Sequence, residues 1–181
     1  MKKLLLILTV LTTLYSCSED DDQPTNPIDQ LPPVTQTGEQ TFGCLINGEP
    51  FVPPVFGRNA PKAFYQLVDG AYFLGISASI NSSPLKSLGI GADAISIKEN
   101  MSYTFTQEDK DNPAFYARYL LGGGINAEYT TTIVHSGIIN ISKFDEDNFI
   151  ISGTFEFEAE EINTGEIIQV SEGRFDLNYT N

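Results

Sequence analysis

Four glutamates crowd one short stretch, Glu156, Glu158, Glu160 and Glu161. Paired carboxylates are what glycoside hydrolysis uses, at separations of about 5–9.5 Å. Same-face neighbours on a strand lie roughly 6.5–7 Å apart, so the spacing permits that chemistry. A general acid must also be buried enough to hold its proton. The alternation here puts these side chains on a wet strand face, where charge discourages edge-to-edge pairing. Two turns, Asp109-Lys110-Asp111-Asn112 and Asp145-Glu146-Asp147-Asn148, are rich in oxygen donors. Neither continues as a calcium-binding EF-hand loop, because Pro113 and Ala114, or Phe149 and Ile150, fill the fifth and sixth positions. Both read as polar turns, a non-EF calcium site built from turn oxygens being the alternative.

His135 is the single histidine, which excludes sites built on two imidazoles, most catalytic zinc centres among them. No nucleophile-elbow pattern accompanies it, so a turn residue is expected. Cys44 is in phase with Phe42 and Ile46 and reads as a buried, inert thiol. Gly89-Ile90-Gly91-Ala92-Asp93 has no following lysine or helix pattern and is no phosphate cradle. Glycines there mark a bulge or a close approach. Tyr65, Tyr72, Tyr103, Tyr116, Tyr119 and Tyr129 can stack on sugar rings if one concave face gathers them. With no tryptophan in the chain, core and cross-strand pairing is the expected use. No catalytic, metal or cofactor residue is assigned.

The elements that must position these groups are strands. From Thr41 onward the apolar period is two. Phe149, Ile151, Gly153, Phe155, Phe157 and Ala159 fall on one face of a run whose other face is polar. Phe175, Leu177 and Tyr179 point inward, with Arg174, Asp176 and Asn178 outward. Similar runs begin at Phe42, Tyr72, Met101, Ala127 and Ile138. Asn47-Gly48 and Asp69-Gly70 suit tight type I′ hairpins, because both central residues need positive φ. Ser136-Gly137, Thr164-Gly165 and Glu172-Gly173 are weaker turn signals. The expected fold is an all-β antiparallel sandwich of ten to twelve strands, built largely of hairpins. A closed up-and-down barrel is the alternative. Pro50–Pro61 reads as a loop or broken edge strand, and Leu121–Ile125 as a connection.

Composition sets the wider frame. The chain has 181 residues, 41% hydrophobic, with a formal net charge of −14. That balance supports a packed core and argues against nucleic acid as a partner. Lys2 and Lys3 precede an apolar run, Leu4 to Leu14, too short to span a bilayer. Residues 1–16 read as a signal peptide. Residues 17–40 form an acidic, proline-rich stretch without Lys or Arg, expected to be extended and mobile. Residues 41–181 are one β domain.

Leu14-Tyr15-Ser16-Cys17 resembles a bacterial lipobox, in which the cysteine is acylated and becomes the new N-terminus. Tyr15 departs from the usual small residue. Acyl chains at Cys17 would hold the protein on a membrane, at about 0.8 kcal/mol per buried methylene. Ser18-Glu19-Asp20-Asp21-Asp22 resembles the acidic export signal of surface lipoproteins in Bacteroidetes-type bacteria. Phe42 to Phe51, Gly137 to Asp145, Ile151 to Phe157 and Glu172 to Leu177 together are similar to a family of small all-β lipoproteins of unknown function from such bacteria. The resemblance implies a tethered β domain on the outer membrane and supplies no activity. The expectation is a non-catalytic binding module facing the cell exterior, the periplasmic leaflet being the alternative, with a glycan or protein ligand. Its contact loops would be Pro50–Pro61 and Gln107–Pro113. A β-barrel carrier of a small apolar ligand is the second expectation, and an envelope hydrolase the third.

Overall fold

The computed structural model describes residues 26–109, 111–123 and 126–181. Eleven strands are found among them: β1 (Thr41–Ile46), β2 (Glu49–Phe51), β3 (Lys62–Val68), β4 (Ala71–Ile80), β5 (Leu85–Asp93), β6 (Met101–Phe105), β7 (Ala114–Gly122), β8 (Ala127–Thr130), β9 (Gly137–Asp145), β10 (Ile150–Glu161) and β11 (Ile167–Thr180). Their hydrogen-bonded order is β2-β1-β11-β3-β4-β5-β7-β6-β9-β10-β8, and β10 also pairs with β11. The network folds back on itself into two facing layers. One holds β3, β4, β5 and β7; the other holds β6, β9, β10, β11, β1 and β2. The layers meet at two parallel seams. One consists of Tyr179 and Thr180 beside Ala63 and Phe64, the other of Phe105 beside Phe115. β8 pairs with β7 and with the end of β10, bridging the layers. Seams this short do not make a regular barrel, so the molecule is an all-β, sandwich-like fold, as the alternation implies.

Inward side chains from both layers form one core that includes Phe42, Ile76, Ile90, Phe105, Ile141, Phe155 and Leu177. The best hairpin signals hold. Asn47 and Gly48 take φ of 51° and 83°, and Asp69 and Gly70 take 50° and 85°. These are the left-handed values of the type I′ turn.

Local chemistry overrides the alternation in several places. Phe149 lies outside β10, at a φ of 55°, with its ring 5.7 Å from Tyr179. The strand expected over Ala127–Val134 stops at Thr130. Thr131 Oγ1 donates to Thr106 O at 2.6 Å and accepts from Ala117 N at 3.0 Å, which turns the chain away. Ser136-Gly137 is no hairpin turn; Gly137 opens β9. A Cβ there would sit 2.0 Å from the Glu156 carbonyl oxygen. Glu172-Gly173 lies at a β-bulge inside β11: Glu172, at a φ of 55°, is skipped by both β1 and β10, while Gly173 pairs with Phe155 of β10.

The largest departure is at the N-terminal flank. The stretch expected to be mobile does not stay clear of the body over Leu31–Gln40. Leu31 is buried, and Pro32 lies where a Cβ on Gly43 would go. Asp176, expected to face water, is 1% exposed. Its carboxylate accepts the backbone N–H groups of Thr37, Gly38 and Glu39 at 3.0, 2.8 and 3.1 Å. It also accepts the Ser152 hydroxyl at 2.7 Å. Asp176 does point away from the core. A strap formed by the preceding segment covers it.

Candidate functional site

The two ends of the sandwich differ. At one, the loop from Ala94 to Asn100 folds inward and buries Ile97. Ile97 N donates to Tyr65 OH at 3.1 Å, and Lys98 N donates to Tyr103 OH at 2.9 Å. Tyr65 stacks on Tyr72 at 4.9 Å, and Phe144 on Tyr179 at 5.5 Å. Aromatic bodies with satisfied hydroxyls plug this end.

The other end opens into a cleft of about 340 Å³. Ile46, Phe51, Tyr119, Leu121, Tyr129 and Ile168 line it, from five different strands. Phe51 and Tyr119 meet edge-to-face at 6.4 Å, and Tyr119 and Tyr129 lie 6.0 Å apart. Lys86 and Glu166 stand at the rim, where Tyr129 OH donates to Glu166 Oε2 at 3.1 Å. Burial pushes the Tyr119 hydroxyl up to about 12, with Tyr129 and Cys44 adding to the effect. Burial and then the Glu166 carboxylate raise Tyr129. Both phenols therefore stay protonated at neutral pH and can donate hydrogen bonds. Mostly apolar walls with a few convergent polar groups are the usual make-up of a small-molecule pocket, and the volume lies at the low end of the usual range.

Most residues singled out for chemistry serve structure. Glu156 and Glu158 are exposed on β10 beside shallow polar depressions. Glu161, expected on the wet face, is buried. It accepts from Asn163 N at 2.9 Å, Asn163 Nδ2 at 3.0 Å and Thr164 N at 2.6 Å, closing the β10–β11 turn. Hydrogen bonds from Thr164 and Asn163 hold its carboxyl down at about 2. Asp145 does the same for Asp147 N, Asn148 N and Asn148 Nδ2, and also sits at about 2, chiefly through Asn148. Asp109 is lowered by Asn112 in an equivalent turn. Among the described residues, no three His, Cys, Asp or Glu side chains gather as a metal cluster. His135 Nδ1 lies 3.2 Å from Glu158 Oε2. Cys44 is fully buried, and desolvation pushes its thiol up, away from nucleophilic use. Cys17 lies outside the described residues.

The tyrosines divide. Tyr65, Tyr119 and Tyr129 are buried, and Tyr72 and Tyr103 pack against the core. Tyr116 is on the outer face of β7, over Gly91. The cleft went unseen in the sequence because its walls are scattered from residue 46 to residue 168. The available signal was apolar residues at strand ends, at Ile46, Leu121 and Ile168.

An all-β sandwich, plugged at one end and open at the other, defines the class. The chain belongs to the family described as "Domain of unknown function (DUF6252)", whose model matches residues 69–176, from the β3–β4 turn to near the end of β11. Comparison with curated proteins and with solved structures finds no match.

Proposed function

We propose that this protein is a lipid-anchored, non-catalytic binding module of the bacterial outer membrane, displayed toward the cell exterior. The observation that carries the binding part is the open cleft between Phe51, Tyr119 and Tyr129, at the end of the core that no described residue plugs. Its aromatic walls are held in place by burial, Phe51, Tyr119 and Tyr129 each being almost fully covered, while the space between them stays open to a ligand. Anchoring rests on the basic, apolar and lipobox-like run ending at Cys17, and display on Ser18 to Asp22. The similarity to Bacteroidetes-type lipoproteins supports both. Among the described residues no helix is long and apolar enough to cross a membrane.

The same cleft favours a second reading, a carrier of a small apolar ligand. Its mouth carries an ammonium, Lys86, and a carboxylate, Glu166, so an apolar body with a polar head suits it.

The test uses the full chain in mild detergent, titrated with a fluorescent long-chain fatty acid. Saturable one-to-one binding is expected, weakened at least tenfold by Ile46→Trp, whose indole would fill the mouth. No saturation, or binding unchanged by Ile46→Trp, contradicts a ligand site in the cleft. In parallel, Cys17→Ser should move the protein from the envelope to the soluble fraction, and protease should remove the native domain from intact cells. An envelope-bound Cys17→Ser chain, or a protected domain, contradicts anchoring or display respectively.

A further inference from the structure

The outer face of the β3–β4–β5–β7 layer carries an arrangement that the core does not need. Phe64, Gly75, Gly91 and Tyr116 form one cross-strand row. A Cβ on Gly75 would lie 2.2 Å from Phe64 Cε1, and one on Gly91 2.3 Å from Tyr116 Cζ. The two rings therefore lean toward each other over adjacent strands, about 5 Å apart at the backbone. Glycine at both positions lets the rings lie down on the sheet. Phe64 is nonetheless 42% exposed. The next row is Gln66, Phe73, Asp93 and Ala114. There Phe73 and Asp93, with Asp111 and Asn112, line a small cleft of about 170 Å³. Tyr116 OH reaches Asp93 Oδ1 at 3.5 Å.

We propose that this face binds an extended, neutral glycan chain, stacked on Phe64 and Tyr116 and held at one end by Asp93 and Asn112. A sugar ring has a C–H face, attracted to the negative face of an aromatic ring, and a hydroxyl rim. That rim must find partners when it leaves water, and a carboxylate and an amide supply acceptors and donors side by side. A row that runs across four strands suits an extended chain. The charge suits a neutral one. Arg118, 5.5 Å from the Tyr116 ring centroid, is paired with Glu108 and Glu128. Among the described residues of this face, Asp93 and Asp111 then repel acidic polymers, and Lys62 stands apart at the opposite corner, level with Ser77. Around the two rings the floor is glycine and serine, and the exposed Val68, Leu85 and Leu120 stand at the margins of the face, whereas a protein interface needs about 800 Å² per partner in one patch.

The proposal deepens the binding-module reading and uses a surface that shares no residue with the open cleft. The experiment is calorimetric titration of the full chain in mild detergent with cellohexaose, xylohexaose and mannohexaose, and with an acidic oligogalacturonate. At least one neutral hexasaccharide should bind, and the oligogalacturonate should not. Phe64→Ala and Tyr116→Ala should each lower affinity at least tenfold, and Asp93→Asn at least threefold. Circular dichroism identifies any variant that misfolds, and Asp93→Asn, at a half-buried surface position, keeps the test open if an aromatic variant does. Failure of every neutral probe, preference for the acidic one, or affinity unchanged in the folded variants overturns the proposal. Fatty-acid binding in the same samples is read separately, so it survives if only the glycan site is wrong.

Discussion

Asp176 joins the N-terminal strap to the sheet. Burial alone would raise its carboxyl, yet hydrogen bonds from Ser152 and from the backbone of Thr37 and Gly38 hold it below the ordinary range. Asp176→Asn removes the charge and aims a donor at donors. A loss of about 2 kcal/mol is expected by urea denaturation, since hydrogen bonds to charged groups contribute roughly 1.5–3 kcal/mol each. Proteolysis within residues 31–40 should also accelerate. Glu161 and Asp145 supply the pH dependence. Both sit at about 2 in the folded chain, below ordinary values of 4.5 and 3.8. Their stabilisation is complete above the ordinary values and is lost as pH falls through the window down to about 2. Thermal melts should show Tm falling across that window, and less so in Glu161→Gln. The turn at Asp145 was legible in its polar run, whereas the roles of Glu161 and Asp176 were not. Asp176 alternates correctly with Phe175 and Leu177, and nothing local reveals that residues 35–40 will cover it.

At the scale of elements, the strand pattern was readable wherever alternation met a strong turn. Asn47-Gly48 and Asp69-Gly70 behave as their φ preference requires. The pattern misled where a side chain captured the backbone, as Thr131 ends β8, or where a turn-like pair fitted inside a strand, as Glu172-Gly173 does in β11. Gly137 and Gly75 separate two kinds of close approach. The Cβ of an alanine at 137 would meet backbone, 2.0 Å from Glu156 O, whereas at 75 it would meet the ring of Phe64, which can rotate away. Gly137→Ala should therefore cost about 3 kcal/mol, and Gly75→Ala about 1 kcal/mol. Equal losses in chemical denaturation would mean that the β9–β10 pairing can shift to admit a methyl group.

The whole molecule is a sandwich with unequal ends. Its two layers hold inward aromatics from Phe42 to Tyr179, and the loop carrying Ile97 closes one end. At the other, Ile46, Tyr119, Tyr129 and Ile168 meet around open space. The all-β class followed from period-two alternation, whereas the cleft depends on which strand ends the topology brings together. Of the loops expected to carry contacts, Pro50 and Phe51 border the cleft, while Gln107, Glu108, Asp109, Asn112 and Pro113 border a separate depression. The most direct measurement is an amide NMR titration of the full chain in detergent with a medium-chain fatty acid. The account predicts saturable shifts at Ile46, Tyr119, Tyr129 and Ile168, with Tyr65, Ile97 and Tyr179 at the plugged end unmoved. Shifts centred on the plugged end, or none that saturate, would contradict it.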